Sequence, residues 1–149
     1  MKKLIVALCV AVMSIGSIAA QKGQQAAGLN LGYGLDAEEL YIGAKYQYGI
    51  TDAIRAEANL NYWLTDYTMF EVGVNAHYLF NVAEKIKVYP LVGVAYYKIE
   101  DVDGEFGFNA GVGAEYSLTE KISINLEGKY QFFDGGDQPL VSVGVAYKF

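Results

Sequence analysis

The sequence predicts an all-β fold, an eight-stranded antiparallel up-and-down transmembrane β-barrel with its apolar face turned outward. Three observations carry this. After residue 20 the chain alternates apolar and polar residues in eight successive segments, the period-two signature of strands with two unlike faces. Thirteen tyrosines and seventeen glycines against two prolines suit pleated strands joined by turns. Beyond the N-terminal stretch no apolar run approaches the roughly 18 residues that a membrane helix needs. A chain of 149 residues is one domain on length alone.

The N-terminal stretch is read as a leader. Met1-Lys2-Lys3 precedes an apolar run over residues 4–20 that ends in small residues, with Ser17-Ile18-Ala19 as the cleavage motif. Residues 1–20 are therefore assigned as a cleaved signal peptide and 21–149 as the barrel domain; a retained helical anchor is the alternative. The single cysteine, Cys9, lies in the leader, and Leu8 before it is too large for a lipoprotein signal. The remaining chain then has no disulfide framework and no thiol metal site, and no cofactor is expected. Without Lys2 and Lys3 it keeps nine basic residues against seventeen acids, a formal charge of −8. Such a balance argues against nucleic acid or an anionic surface as partner.

The strands follow in order. The first segment, 27–35, aligns Leu29, Leu31, Tyr33 and Leu35 on one face. The second, 40–50, aligns Leu40, Ile42, Ala44, Tyr46, Tyr48 and Ile50. The third, 54–64, aligns Ile54, Ala56, Ala58, Leu60, Tyr62 and Leu64. The fourth, 70–80, aligns Phe70, Val72, Val74, Ala76, Tyr78 and Phe80. In the fifth, 86–96, both faces are apolar; Val88, Pro90, Val92, Val94 and Tyr96 are taken as the outer side. The sixth, 106–118, aligns Phe106, Phe108, Ala110, Val112, Ala114, Tyr116 and Leu118, and the seventh, 122–132, aligns Ile122, Ile124, Leu126, Tyr130 and Phe132. The eighth, 139–149, aligns Val141, Val143, Val145, Tyr147 and Phe149. An even count is what a single-chain outer-membrane barrel requires. Short connections at 51–53, 81–85 and 119–121 alternate with longer acidic ones at 65–69, 97–105 and 133–138. The runs Tyr48 to Asp52 and Tyr116 to Glu120 repeat one turn motif, Tyr-x-Ile/Leu-Thr-Asp/Glu.

Alternation alone does not say which face is outside; charge, glycine and aromatic placement do. No charged residue falls on the apolar face, whereas Lys45, Arg55, Glu57, Glu71, Lys87, Glu115, Glu127, Lys129 and Lys148 share the other. Eleven glycines (28, 32, 34, 43, 49, 73, 93, 107, 111, 113 and 144) share that polar face, and Gly128 lies on the apolar one. An eight-stranded barrel has an interior just wide enough for side chains to fill, so the glycine-rich face belongs inside. The outer aromatics sort to strand ends. Tyr33, Tyr62, Phe70, Tyr96, Phe106, Phe108, Tyr130 and Phe132 fall at one rim, and Tyr46, Tyr48, Tyr78, Phe80, Tyr116, Tyr147 and Phe149 at the other. Two girdles flanking a band of Val, Ala, Leu and Ile are where amphipathic rings meet lipid headgroups.

The last strand, with Val141, Val143, Val145, Tyr147 and terminal Phe149, resembles the C-terminal signal that the barrel-assembly machinery reads in bacterial outer-membrane proteins. Together with the leader and the eight segments, it makes the chain similar to the small eight-stranded outer-membrane barrels of the OmpX, Ail and OmpA-transmembrane-domain type. These are grouped as the outer membrane protein β-barrel domain or "porin family". The resemblance implies an integral protein of the Gram-negative outer membrane, monomeric, with outer-membrane lipid and lipopolysaccharide as its surroundings. It also implies a structural or surface-interaction role.

The residues themselves offer three candidate sites. Lys45, Arg55, Glu57, Glu71, Glu115, Glu127 and Lys129 project into one narrow lumen, and buried charge there needs partners. A plug of paired charges is expected, and a small gated ion conduit is the alternative. A wide diffusion pore is excluded by strand number. His77, the only histidine, also lies on the polar face, with Ser117, Ser123 and Ser142 as the only hydroxyls that a lipid-modifying barrel enzyme could use as nucleophile. The expectation is a plain lumen histidine and no catalysis. The outer loops, including the short acidic connection at 36–39, carry Asp36, Glu38, Glu39, Asp66, Glu100, Asp101, Asp103, Glu105, Asp134 and Asp137 against Lys98. Lacking the spaced ligands of a calcium loop, they are read as a solvated surface, with weak divalent bridging to lipopolysaccharide as the alternative.

Overall fold

The computed structural model describes residues 22–149, apart from 37, 67, 100–103 and 134–135. The leader with its cleavage motif and Cys9 lies outside the described residues, as do Glu100, Asp101, Asp103 and Asp134. The chain forms β1 (Gln25–Gly34), β2 (Glu39–Gly49), β3 (Ile54–Leu64), β4 (Thr68–Tyr78), β5 (Phe80–Ala83), β6 (Ile86–Ile99), β7 (Glu105–Ser117), β8 (Ile122–Phe133) and β9 (Gly136–Lys148). Neighbours pair antiparallel, β4 pairs with β6, and the last strand pairs with the first, so the sheet closes. At the seam Leu29 lies opposite Val145 and Leu31 opposite Val143. Because β4 and β5 run along the same neighbour, the nine strands form eight staves. Closure leaves no open edge for another chain to extend.

The third segment has the predicted bounds. The fourth does not run unbroken through Phe80. The β4–β6 ladder ends at His77 opposite Leu91 and resumes with Phe80 opposite Val88, so Tyr78 falls opposite Pro90. A proline has no amide hydrogen to give, which breaks the ladder there. The freed Leu79 amide donates instead to the Ala53 carbonyl at 2.9 Å. Past the break Phe80 is buried at 4% exposure and packs on Tyr78, 4.8 Å between rings, so it does not stand in the outer girdle. The connections opposite the termini are also shorter than expected. β6 continues to Ile99 and β9 begins at Gly136, because the hairpins go on pairing beyond the apolar band.

The repeated turn motif folds twice into one structure. Thr51 Oγ1 accepts from the Ala53 and Ile54 amides at 3.2 and 2.9 Å, and Thr119 Oγ1 accepts from Lys121 and Ile122 at 3.1 and 2.9 Å. The backbone bonds match as well, with Ile50 and Leu118 amides each donating at 2.9 Å across their turns.

Inside and outside are inverted relative to a soluble core. Val72, Val74, Val92, Val112, Leu126 and Val143 are exposed, whereas Glu71, Asn75, His77, Asn61 and Gln131 are fully buried. Rings gather at both rims of the outer face. Tyr62–Phe70 at 5.2 Å and Tyr96–Phe106 at 4.9 Å lie at one end, and Tyr46–Phe149 at 6.5 Å lies at the end with the chain termini.

Candidate functional site: the barrel lumen

Inward positions come from alternate residues of every stave, so the lumen is lined in layers. In the layer nearest the termini, Arg55 on β3 donates Nη1 to Glu115 Oε1 on β7 at 3.0 Å. Its Nε and Nη2 both point at His77 Nδ1, at 3.3 and 3.0 Å. The His77 ring stacks on Tyr89, with centroids 4.5 Å apart and planes at 14°, and the guanidinium carbon lies 5.2 Å from the Tyr89 centroid.

The next layer is joined mainly by amides and a phenol. Glu57 accepts from Gln47 Nε2 at 2.8 Å. Tyr89 donates to Glu127 at 2.6 Å, and Lys45 donates to Asn125 Oδ1 at 2.6 Å. Asn125 Nδ2 reaches both Tyr89 and Glu127 at 3.4 Å. Towards the far end, Asn109 donates to Asn75 at 3.1 Å. Glu71 accepts from Gln131 at 3.0 Å and from the Trp63 indole at 3.4 Å. Lys129 sits among Glu71, Tyr41 and Glu127. An apolar cluster of Tyr41, Trp63 and Leu140 packs beside this layer.

All seven charged residues singled out from the sequence, Lys45, Arg55, Glu57, Glu71, Glu115, Glu127 and Lys129, are buried. Arg55 and Glu115 form a direct ion pair, while neutral amide, indole and phenol groups bond Lys45, Glu57, Glu71 and Glu127. The charge pattern does not mark the inward rings Tyr41, Trp63 and Tyr89, yet they fill the space that glycines leave. By register Gly32 lies opposite Tyr41 and Gly113 opposite Tyr89. A Cβ on either glycine would meet the facing ring at 2.1 or 2.4 Å. Glycine facing tyrosine on the inner sides of adjacent strands was the available signal. Gly128, on the outer face, has open space around it.

Glu57, His77 and Glu127 bring ligand atoms within 4.8 Å of one another, a spacing that a cation could bridge. The His77 environment opposes it. With Arg55 donating to Nδ1, the neutral ring carries its proton on Nε2, which faces Glu57 Oε2 at 3.9 Å and has no lone pair to offer a metal. Of the three serines, Ser123 and Ser142 are buried and Ser117 half-buried, and His77 spends its contacts on Arg55, Glu57 and Tyr89. At the end opposite the termini, Asp36, Glu38, Asp66, Glu105 and Asp137 are exposed.

The family profile of the outer membrane protein β-barrel domain matches residues 6–149. Among solved structures, the N-terminal β-barrel domain of Pseudomonas aeruginosa OprF is similar at a TM-score of 0.77 and 15% identity, covering 86% of this chain and 98% of that one. Neisserial surface protein A is similar at 0.66 and 16% identity, over 85% of this chain and 95% of its own. Ail of Yersinia pestis, in a phospholipid bilayer nanodisc, is similar at 0.61 and 15% identity, over 86% and 100%. No curated protein matches the sequence.

Proposed function

The chain belongs to the outer membrane protein β-barrel domain family, and from that premise we propose that it serves the outer membrane as a structural or surface-interaction protein. It is neither a wide diffusion pore nor an enzyme. The observation that carries this reading is the lumen, bonded from the Arg55–Glu115 pair near the termini through Tyr89–Glu127 to Glu71–Gln131 at the far end. Eight strands leave no aqueous channel of porin width. The leader over residues 1–20 would export the chain. Val141, Val143, Val145, Tyr147 and Phe149 would present the strand read by the assembly machinery. Outer-membrane lipid and lipopolysaccharide would surround a monomer.

Surface interaction, on this reading, does not extend to polyanions at the end opposite the termini. Ail has been crystallised with the heparin analogue sucrose octasulfate, whereas exposed Asp36, Glu38, Asp66, Glu105 and Asp137 crowd that end of this chain.

A second reading, a small gated conduit, draws on one observation. Asn59 Oδ1, Asn61 Oδ1, Asn109 Oδ1, Glu115 Oε2 and Gln131 Oε1 are buried without a bonding partner among the described residues. Buried polar atoms of this kind take water, so the lumen would be wet at points. Planar-bilayer recording separates the readings. The plugged barrel gives a quiet baseline, the conduit gives small intermittent steps, and large stable conductance contradicts both.

A further inference from the structure

The outer face is not evenly filled by its own side chains. A groove of about 430 Å³ crosses β6 to β9 in the half nearest the chain termini, walled by Ile86, Ala114, Tyr116, Ile124, Leu126 and Val143. Its floor passes over Glu115 and Asn125, whose side chains turn into the lumen. The register explains the groove. Tyr116 stands between Ile86 and Ile124 in one row, while in the next row only the methyl of Ala114 stands beside Leu126 and Val143. At the foot of the groove two turns lie side by side. The Ser117 amide donates to the Lys85 carbonyl at 2.9 Å, and the Lys121 amide donates to Thr119 Oγ1 at 3.1 Å. These turns expose Glu84, Lys85, Glu120 and Lys121, and among the described residues none of the four is held in an ion pair. Each turn thus presents one carboxylate and one ammonium beside an apolar slot.

We propose that this sector seats one phospholipid whose head carries both a phosphate and a primary amine, the phosphatidylethanolamine class. One tail lies in the groove, the phosphate sits between Lys85 and Lys121, and the amine reaches Glu84 or Glu120. The two lysines flank β7 from the neighbouring strands, a span of roughly 10 Å that their long side chains close from both sides. In a bilayer the tail gains no hydrophobic energy by entering the groove, because the tails around it are equally apolar. It gains dispersion contacts with a shaped wall, and the preference comes from the head. Equal numbers of both charges suit a head that is itself of both signs. An anionic head would meet the lysines but be opposed by the two glutamates, and a quaternary amine has no hydrogen to donate to a carboxylate. The seat rests on the outer face lying in lipid.

The test places the full chain in nanodiscs of phosphatidylethanolamine and phosphatidylglycerol, in equal amounts and with matched tails, and counts the lipids it retains by native mass spectrometry. The wild type keeps one phosphatidylethanolamine about threefold more often than phosphatidylglycerol, which is what one exposed ion pair is worth. Glu84→Gln/Glu120→Gln erases that preference by removing the amine contacts. Lys85→Gln/Lys121→Gln lowers retention of both lipids about threefold through the lost phosphate contact. Ala114→Phe fills the groove and also lowers retention of both. Ala58→Phe, equally outward but on β3 across the barrel from β7, leaves retention at the wild-type level. These positions face outward or lie on turns, so the variants fold, as the gel mobility of the unheated barrel reports. A folded wild type that retains the two lipids equally overturns the seat and leaves the barrel's role untouched, and so do equal effects of Ala114→Phe and Ala58→Phe. A wild type that does not insert at all overturns the membrane reading beneath the seat, and the seat with it.

Discussion

Arg55 and Glu115 meet at 3.0 Å across the barrel, from β3 and β7, sixty positions apart in sequence. Both are buried, and the same guanidinium also holds His77 in its stack on Tyr89. One side chain thus ties three staves together through the interior.

Removing that side chain leaves Glu115 buried and unpaired. Breaking a buried pair from one side costs about 3–5 kcal/mol, so Arg55→Ala lowers the urea midpoint in lipid vesicles by a corresponding amount. Replacing both partners with packed apolar residues, Arg55→Met with Glu115→Leu, recovers most of the loss, because neither charge is then stranded. An unchanged midpoint for Arg55→Ala shows the pair to be dispensable.

The glycines give a contrast between faces. A Cβ on inward Gly111 would meet the Gly128 carbonyl oxygen at 2.3 Å and the Lys129 Cα at 2.6 Å, both backbone atoms of the neighbouring strand. Gly111→Ala therefore destabilises by about 1–3 kcal/mol, the usual range for overpacking. Gly128→Ala, facing open space one strand away, is neutral or gains up to about 1 kcal/mol from reduced backbone freedom in the unfolded chain. Equal effects at the two sites would show that the interior is looser than the contacts indicate.

Alternation made the outer face readable because a period of two needs only neighbours in sequence. It placed the bounds of β3 correctly and matched the two threonine turns, whose chemistry is local. It missed the break after Tyr78, where the cause, Pro90, sits on another strand. The lumen was legible as a set of charges but not as a set of pairs. Which inward group meets which depends on the stagger of strands around the barrel, and no single strand records that. So Lys45 is found on Asn125, not on a carboxylate, and Tyr89 serves Glu127.

Phe149 separates assembly from stability. Its side chain is exposed, with a ring contact to Tyr46 at 6.5 Å, while its amide closes the seam by donating to the Gln25 carbonyl at 3.0 Å. Phe149→Ala keeps that backbone bond. The folded variant in detergent is therefore within about 1 kcal/mol of wild type, as expected for a surface ring. Its yield in the outer membrane of cells falls severalfold if the terminal aromatic is the assembly signal. Normal yield with lowered stability would reverse that assignment.

On this reading oily side chains face lipid while polar ones face the barrel axis. Nitroxide labels placed one at a time on cysteines at Leu126 and Val143, opposite each other in the register, test this by collision with dissolved oxygen and with a water-soluble nickel chelate. In bilayers both sites are predicted to collide often with oxygen, which concentrates in lipid, and rarely with nickel. Frequent collision with nickel, or shielding from both agents as in a packed soluble core, would contradict it.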